Sequence, residues 1–147
     1  MIVDDKVMRY VVYKKRTSEE VRKKCITLNY EASYIDEIIE YLKEAGYIDD
    51  KVYIQKYIND IKKLKHMSIA QIRNDLARRG IDSDLIDNII MTEDINEFEF
   101  ESAEYLLNKK LKLGEDIDKV KRFLLNKGYS YSNVLKAIDN LDNIEDN

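Results

Sequence analysis

The sequence predicts an all-α chain of three tandem three-helix repeats, stacked as an elongated, slightly curved array. Three observations carry that reading. No proline and only four glycines occur in 147 residues, so little interrupts a helix. Apolar side chains recur at spacings of three and four, the stripe of an amphipathic helix. And the chain aligns with itself twice, at offsets of 48 and 51 residues, which marks a repeat architecture.

At the first offset Ile72 falls on Val120, Arg73 on Lys121, Leu76 on Leu124, Arg79 on Lys127, Gly80 on Gly128, Ile86 on Val134 and Ile90 on Ile138. At the second, Thr17 meets Ser68, Val21 meets Ile72, Arg22 meets Arg73, Cys25 meets Leu76, Asn29 meets Gly80, Ile35 meets Ile86 and Ile39 meets Ile90. The exchanges are chemically sensible. Asn follows Gly as the residue that ends a helix in the left-handed conformation. A cysteine in a leucine position is a small core side chain.

Repeat 1 takes residues 1–48, repeat 2 takes 49–92 and repeat 3 takes 93–141, with a short acidic tail, 142–147, expected to fray. In repeat 1 a capping box, Thr17-x-x-Glu20, opens a helix that Asn29 closes. In repeat 2, Asp49 caps a helix with the stripe Ile54, Tyr57, Ile58, Ile61 and Leu64. Ser68-x-x-Gln71 repeats the box and opens a second helix that buries Ile69, Ile72 and Leu76 up to Gly80. A third, capped at Ser83 or close by, presents Leu85, Ile86, Ile89 and Ile90. Repeat 3 offers Phe100, Ala103, Leu106, Leu107 and Leu111. After the cap Asp116 come Ile117, Val120 and Leu124 up to Gly128, then Val134, Leu135, Ile138 and Leu141. A unit of this size buries little core alone, so neighbours are expected to lean on one another.

Composition narrows the function. No apolar run is long enough to cross a membrane, and the acidic start MIVDDKVMRY lacks the basic stretch of a signal peptide. One cysteine excludes an internal disulfide and a cysteine-based zinc cluster, so a reducing cytoplasm is expected. The net charge is -4, yet residues 51–92 carry 8 Lys+Arg against 5 Asp+Glu, while residues 93–147 carry 8 against 13. Such polarity suits a protein that meets more than one kind of surface.

No catalytic motif is present: neither a phosphate-binding GxxxxGK[ST] loop nor a GxGxxG fingerprint. Cys25 stands in a core position, where a thiol is inert. His66 is the sole histidine and reads as a solvated loop residue, so no metal site and no cofactor are expected. Asp49 and Asp50 are explained as the cap and first turn of a helix. Basic residues recur near the first-to-second helix junction of each unit: Lys14, Lys15 and Arg16; Lys62, Lys63 and Lys65; Lys109, Lys110 and Lys112. A second set follows on the next helix: Arg22, Lys23 and Lys24; Arg73, Arg78 and Arg79; Lys121, Arg122 and Lys127. In a helical array equivalent positions line up, so a basic stripe suited to phosphates or an acidic groove is one reading. Plain solvation of helix surfaces and helix ends is the other. Most tyrosines, Tyr47, Tyr53, Tyr57 and Tyr129 among them, read as core or boundary packing; Tyr10, Tyr13 and Tyr131 are left open.

The stretch from Gly46 to Ile81, GYIDDKVYIQKYINDIKKLKHMSIAQIRNDLARRGI, resembles the RecX family of recombinase regulators. That family has a Gly-aromatic-aliphatic-Asp-Asp opening, aromatic residues a helical turn apart, a basic stretch, and a helix ending in Leu-x-x-basic-Gly-Ile. Gly46, Tyr47, Ile48, Asp49, Asp50, Tyr53, Tyr57, Leu76, Arg79, Gly80 and Ile81 carry the likeness. Tyr13 to Val21 is similar to the family's first-repeat turn. The resemblance implies a non-catalytic cytoplasmic protein that binds the groove of a RecA filament, inhibits its extension and activity in recombination and DNA repair, and contacts single- or double-stranded DNA. Monomeric action is expected. The candidate contacts are Lys14, Lys15, Arg16, Arg22, Lys62, Lys63, Lys65, Arg73, Arg78, Arg79, Lys109, Lys110, Lys121 and Arg122. Two rivals stand beside it: a DNA-binding protein that docks three-helix units like helix-turn-helix modules through Ile69 to Arg79, and a helical adaptor for an unrelated protein.

Overall fold

The computed structural model describes residues 2–64 and 66–145, with side chains through Leu141. Its described residues form nine α-helices and no strand: α1 (Asp5–Tyr13), α2 (Ser18–Thr27), α3 (Ala32–Glu44), α4 (Asp50–Lys62), α5 (Ile69–Arg78), α6 (Ser83–Thr92), α7 (Ile95–Lys112), α8 (Ile117–Asn126) and α9 (Tyr131–Glu145). In chain order the helices make three trios, α1–α3, α4–α6 and α7–α9.

The second helix of each trio shows most directly why the sequence folds as it does. Thr17 Oγ1 accepts from the Glu20 amide while the Glu20 carboxylate accepts from the Thr17 amide, so the box at α2 is closed in both directions. Ser68 and Gln71 repeat it at α5. Asp116 caps α8 alone, accepting from the Lys119 amide. The three helices also end alike. Asn29 (φ +63°), Gly80 (φ +84°) and Gly128 (φ +93°) take the left-handed conformation. The next amides, of Tyr30, Ile81 and Tyr129, then reach back to the carbonyls of Cys25, Leu76 and Leu124, the closure that satisfies otherwise orphaned helix carbonyls.

Other boundaries differ from the sequence reading by small, intelligible amounts. The carboxylate of Asp4 accepts from the Lys6 amide at 2.7 Å and starts α1, which buries Val7 and Val11; three helices per repeat imply this helix, though none of the aligned pairs falls on it. At α6 the cap position is Asp82, within the expected start at Ser83 or close by, since the Asp82 carbonyl takes the Ile86 amide. Helix α4 stops at Lys62, so Leu64 lies beyond its stripe and is 60% exposed. Ile117 is 39% exposed at the open first turn of α8. Helix α7 starts early enough to bury Ile95 and Phe98 as well. Helix α9 continues to Glu145 through part of the expected tail; residues 146 and 147 lie outside the described residues.

The chain divides into two compact units, Met1–Tyr57 with Leu76–Ile86, and Ile58–Asp75 with Asp87–Asn147. The division passes through α4, α5 and α6. In the first unit Val7, Val11, Val21, Cys25, Ile35, Ile38, Ile39, Leu42 and Ile48 form one core. Cys25 is fully buried there, and that burial pushes its thiol up, with the nearby Arg22 pulling weakly the other way. In the second unit Phe100, Ala103, Leu107, Val120, Leu124, Tyr129, Val134 and Ala137 form another. Each fully buried Ile or Leu contributes about 1.5–3 kcal/mol relative to exposure, and Ile54, Ile58, Ile72, Leu76, Ile86 and Ile95 add to the burial outside these two clusters.

Glu99, in the second unit, carries a carboxyl group yet is only 1% exposed. A buried carboxylate is tolerated only when hydrogen-bonded. Here it accepts from the Ile69 amide at 2.7 Å, the Ser130 amide at 2.9 Å and Asn133 Nδ2 at 2.9 Å. It thereby serves the N-termini of α5 and α9 together, where the helix dipole favours an anion. Asp50 does the matching task in the first unit, accepting from the Ser18 amide at 3.0 Å and Ser18 Oγ at 2.7 Å at the start of α2.

Candidate functional site

The Asp-Asp pair of the Gly46–Asp50 motif divides its labour. Asp49 Oδ1 caps its own helix, accepting from the amides of Lys51 and Val52 at 3.0 and 3.2 Å. Asp50 turns to α2, as above, a role the sequence reading did not see because it counted the pair only as a helix start. The rest of the motif also holds structure. Arg79 Nη1 donates to the Tyr53 hydroxyl at 2.7 Å, and its guanidinium lies 4.9 Å over the Tyr57 ring. Leu76 is fully buried, and Gly46 turns the chain at φ +83°.

Several candidate cations are spent within the chain. Arg22 pairs with Asp36 at 2.9 Å and reaches Glu19 at 4.0 Å; Arg73 pairs with Asp87; Lys62 stands 3.6 Å from Glu93. Lys110 pairs with Glu115 at 3.3 Å and covers the Phe123 ring at 4.1 Å, and Lys121 lies 5.3 Å over Tyr131. Arg78 is engaged too. Lys63, Lys109 and Arg122 are exposed, and Lys65 lies outside the described residues.

The remaining group, Lys14, Lys15 and Arg16, is different. These residues form the link between α1 and α2, and around them the first unit carries three hollows that share members. One is lined by Lys6, Arg9, Tyr10, Tyr13, Arg16 and Lys24. The next brings Lys14, Lys15 and Lys56 to Val12, Tyr13 and Tyr47. The third sets Lys15, Arg16 and Lys43 beside Tyr47, Val52 and Tyr53. Lys6, Arg9, Lys14, Lys15, Arg16, Lys24, Lys43 and Lys56 thus gather with a single lining carboxylate, Asp49, already used as a cap. Tyr13 is 82% exposed. Arg16 is the ordered centre: its guanidinium lies 3.8 Å over the Tyr10 ring and its Nε donates to the Tyr10 carbonyl at 3.0 Å. Lysines around open tyrosine faces are suited to phosphates with stackable bases, or to an acidic protein surface.

Sequence reasoning found the centre of this surface but missed Lys6, Arg9, Lys43 and Lys56. Lys6 and Arg9 stand on α1, a helix that three helices per repeat imply but on which none of the aligned pairs falls. Lys43 and Lys56 flank a turn that only the folded chain brings to Lys15. The open tyrosines resolve as well: Tyr10 packs under Arg16, while Tyr13 and Tyr131 face solvent. Tyr129, expected at a boundary, is buried, with 3% of its surface exposed. His66 is exposed with its ring 5.6 Å from Tyr105. No group of three or more His, Cys, Asp or Glu able to hold a metal ion occurs among the described residues, and no helix among them is long and apolar enough to cross a membrane.

Fold and surface together define a helical protein whose cations and exposed aromatics concentrate on one surface of its first unit. No protein-family model matches the chain. It is 35% identical over 138 residues to the regulatory protein RecX of Clostridium botulinum, covering 88% of this chain and 64% of that one. It is 32% identical over 148 residues to the regulatory protein RecX of Clostridium beijerinckii, covering 94% and 68%. The crystal structure of RecX from Lactobacillus salivarius superposes with a TM-score of 0.83 at 26% identity, covering 94% of this chain and 93% of the other. The chain belongs to the RecX family of regulatory proteins. It spans less than two thirds of the first relative's length.

Proposed function

We propose that this chain binds a RecA-type recombinase filament in the cytoplasm and inhibits its extension and activity, acting as a monomer without catalysis. Membership of a family of regulatory proteins carries the reading. The surface around Lys14, Lys15 and Arg16 supports it, because an exposed cationic face suits an acidic filament groove. Several weak contacts spread along the chain act together, so affinity rises steeply with the number engaged.

The test is the single-stranded-DNA-dependent ATPase of a RecA recombinase, titrated with the chain far below one molecule per recombinase protomer. Strong inhibition at such ratios is the expected result. No effect at equimolar folded protein rejects the reading for that recombinase.

A second reading, direct DNA binding, is favoured by the tyrosines open among the cations. The geometry supports it at the α1–α2 link more than at Ile69 to Arg79, where Arg73 and Arg79 are already paired. It requires affinity to fall by several log units per log unit of salt. The adaptor reading has no particular contact in its favour.

A further inference from the structure

We infer that the buried hydroxyls of Thr17 and Ser68 are junction locks, each tying the second helix of its own repeat to the second helix of the next through a bond that a carboxylate cap cannot make. Thr17 Oγ1 donates to the carbonyl of Arg79 at 2.9 Å, across 62 residues. Ser68 Oγ donates to the carbonyl of Lys127 at 2.8 Å, across 59 residues. Thr17 and Ser68 are equivalent in the repeat alignment, and so are Arg79 and Lys127. The same bond is therefore built twice, once inside each compact unit.

Helix capping alone does not ask for a hydroxyl. Asp and Asn cap as well as Ser and better than Thr, but an ionised carboxylate accepts only, whereas a hydroxyl accepts and donates at once. Thr17 and Ser68 use both capacities, taking the amides of Glu20 and Gln71 while giving their protons to the distant carbonyls. Both are fully buried, so no water substitutes. At the equivalent position in the third repeat stands Asp116, which accepts from Lys119 and has no proton to give.

Neighbouring residues repeat the design. Glycine stands just after each accepting carbonyl because the capping strand passes so close: a Cβ on Gly80 would lie 2.2 Å from Glu19 Cβ, and one on Gly128 would lie 2.7 Å from Ala70 Cβ. Glu19 and Ala70 are themselves repeat equivalents. The residue after each hydroxyl, Ser18 or Ile69, has its amide held by a carboxylate from the following repeat, Asp50 or Glu99. Each junction thus completes one helix N-terminus with groups that belong to the next trio, and opening one side uncovers unpaired polar groups on both.

The inference stands on the repeat alignment and not on the recombinase reading. Hydrogen exchange on the full chain tests it with Thr17→Ala, Thr17→Ser and Glu20→Ala. Glu20→Ala removes half of the capping box and leaves the junction, so faster exchange is expected only at the start of α2. Thr17→Ala is expected to raise exchange there and also, about tenfold, at the amides of Gly80 and Ile81 that close α5. Thr17→Ser should exchange like the parent. Effects of Thr17→Ala confined to α2, or Thr17→Ser as open as Thr17→Ala, overturn the proposal. Should Thr17→Ala fail to fold by circular dichroism, Ser68→Ala against Gln71→Ala makes the same comparison at Gly128 and Tyr129.

Discussion

Gly80 faces Glu19 at a distance that leaves no room for any side chain: a Cβ there would stand 2.2 Å from Glu19 Cβ. The obstructing atom is fixed to the α2 backbone, so it cannot swing aside. The glycine also sits at φ +84°, where an L side chain costs about 1–2 kcal/mol. Gly80→Ala therefore adds overpacking of about 1–3 kcal/mol to that strain. Gly46 provides the control, since it shares the conformation at φ +83° but has nothing within 4 Å of its missing Cβ. Urea midpoints should rank Gly46→Ala as mild and Gly80→Ala as severe. Equal losses would mean that the close approach to Glu19 carries no weight.

Much of this was legible beforehand, and the reason is repetition. A box such as Thr17-x-x-Glu20 is a weak signal alone. Recurring as Ser68-x-x-Gln71, at the same distance before a left-handed residue, it fixes a helix at both ends. What escaped left no mark in the aligned pairs: Lys6 and Arg9, on the α1 that three helices per repeat implied without naming its residues. Long-range pairing escaped for a different reason. Asp50 reads as part of its own helix start, and only three-dimensional proximity shows its carboxylate at Ser18. Arg73 illustrates the same limit, for periodicity places it on the basic stripe while the fold spends it on Asp87.

Tyr129 makes stability depend on alkaline pH. It is only 3% exposed, and burial first, then the Glu99 carboxylate, push its phenol well above the ordinary value of 10.0, the Ser102 hydroxyl offsetting part of the rise. The folded chain keeps this phenol neutral while the unfolded chain ionises it, so stability is whole below about pH 10 and falls as pH rises beyond it. Tyr129→Phe removes the ionisable group, and its hydroxyl meets no well-formed hydrogen bond among the described residues. The variant should match the parent near neutral pH and outlast it above about pH 10. Urea midpoints at the two pH values decide the point; parallel losses in both proteins would remove Tyr129 as the cause.

Charge reversal separates cations that hold the fold from cations free to bind. Arg73→Glu sets a carboxylate against Asp87, its present partner, so stability should fall while the regulatory activity of the folded chain holds. Because the pair is about half exposed, with side chains at 46% and 50%, the stability loss stays within about 1 kcal/mol. Lys14→Glu with Lys15→Glu changes two exposed residues that make no ion pair among the described residues, and circular dichroism and melting temperature should not move. The same double variant reverses two charges at the centre of the N-terminal surface, between the hollows that Arg9 and Lys43 border. Inhibition of the recombinase ATPase should then need at least about tenfold more protein, with the shortfall shrinking as salt screens the surface. Full inhibition at unchanged protein concentration and low salt would take this surface out of the mechanism. Regulation would then have to act through groups elsewhere on the chain, of which Lys63, Lys109 and Arg122 are the exposed candidates.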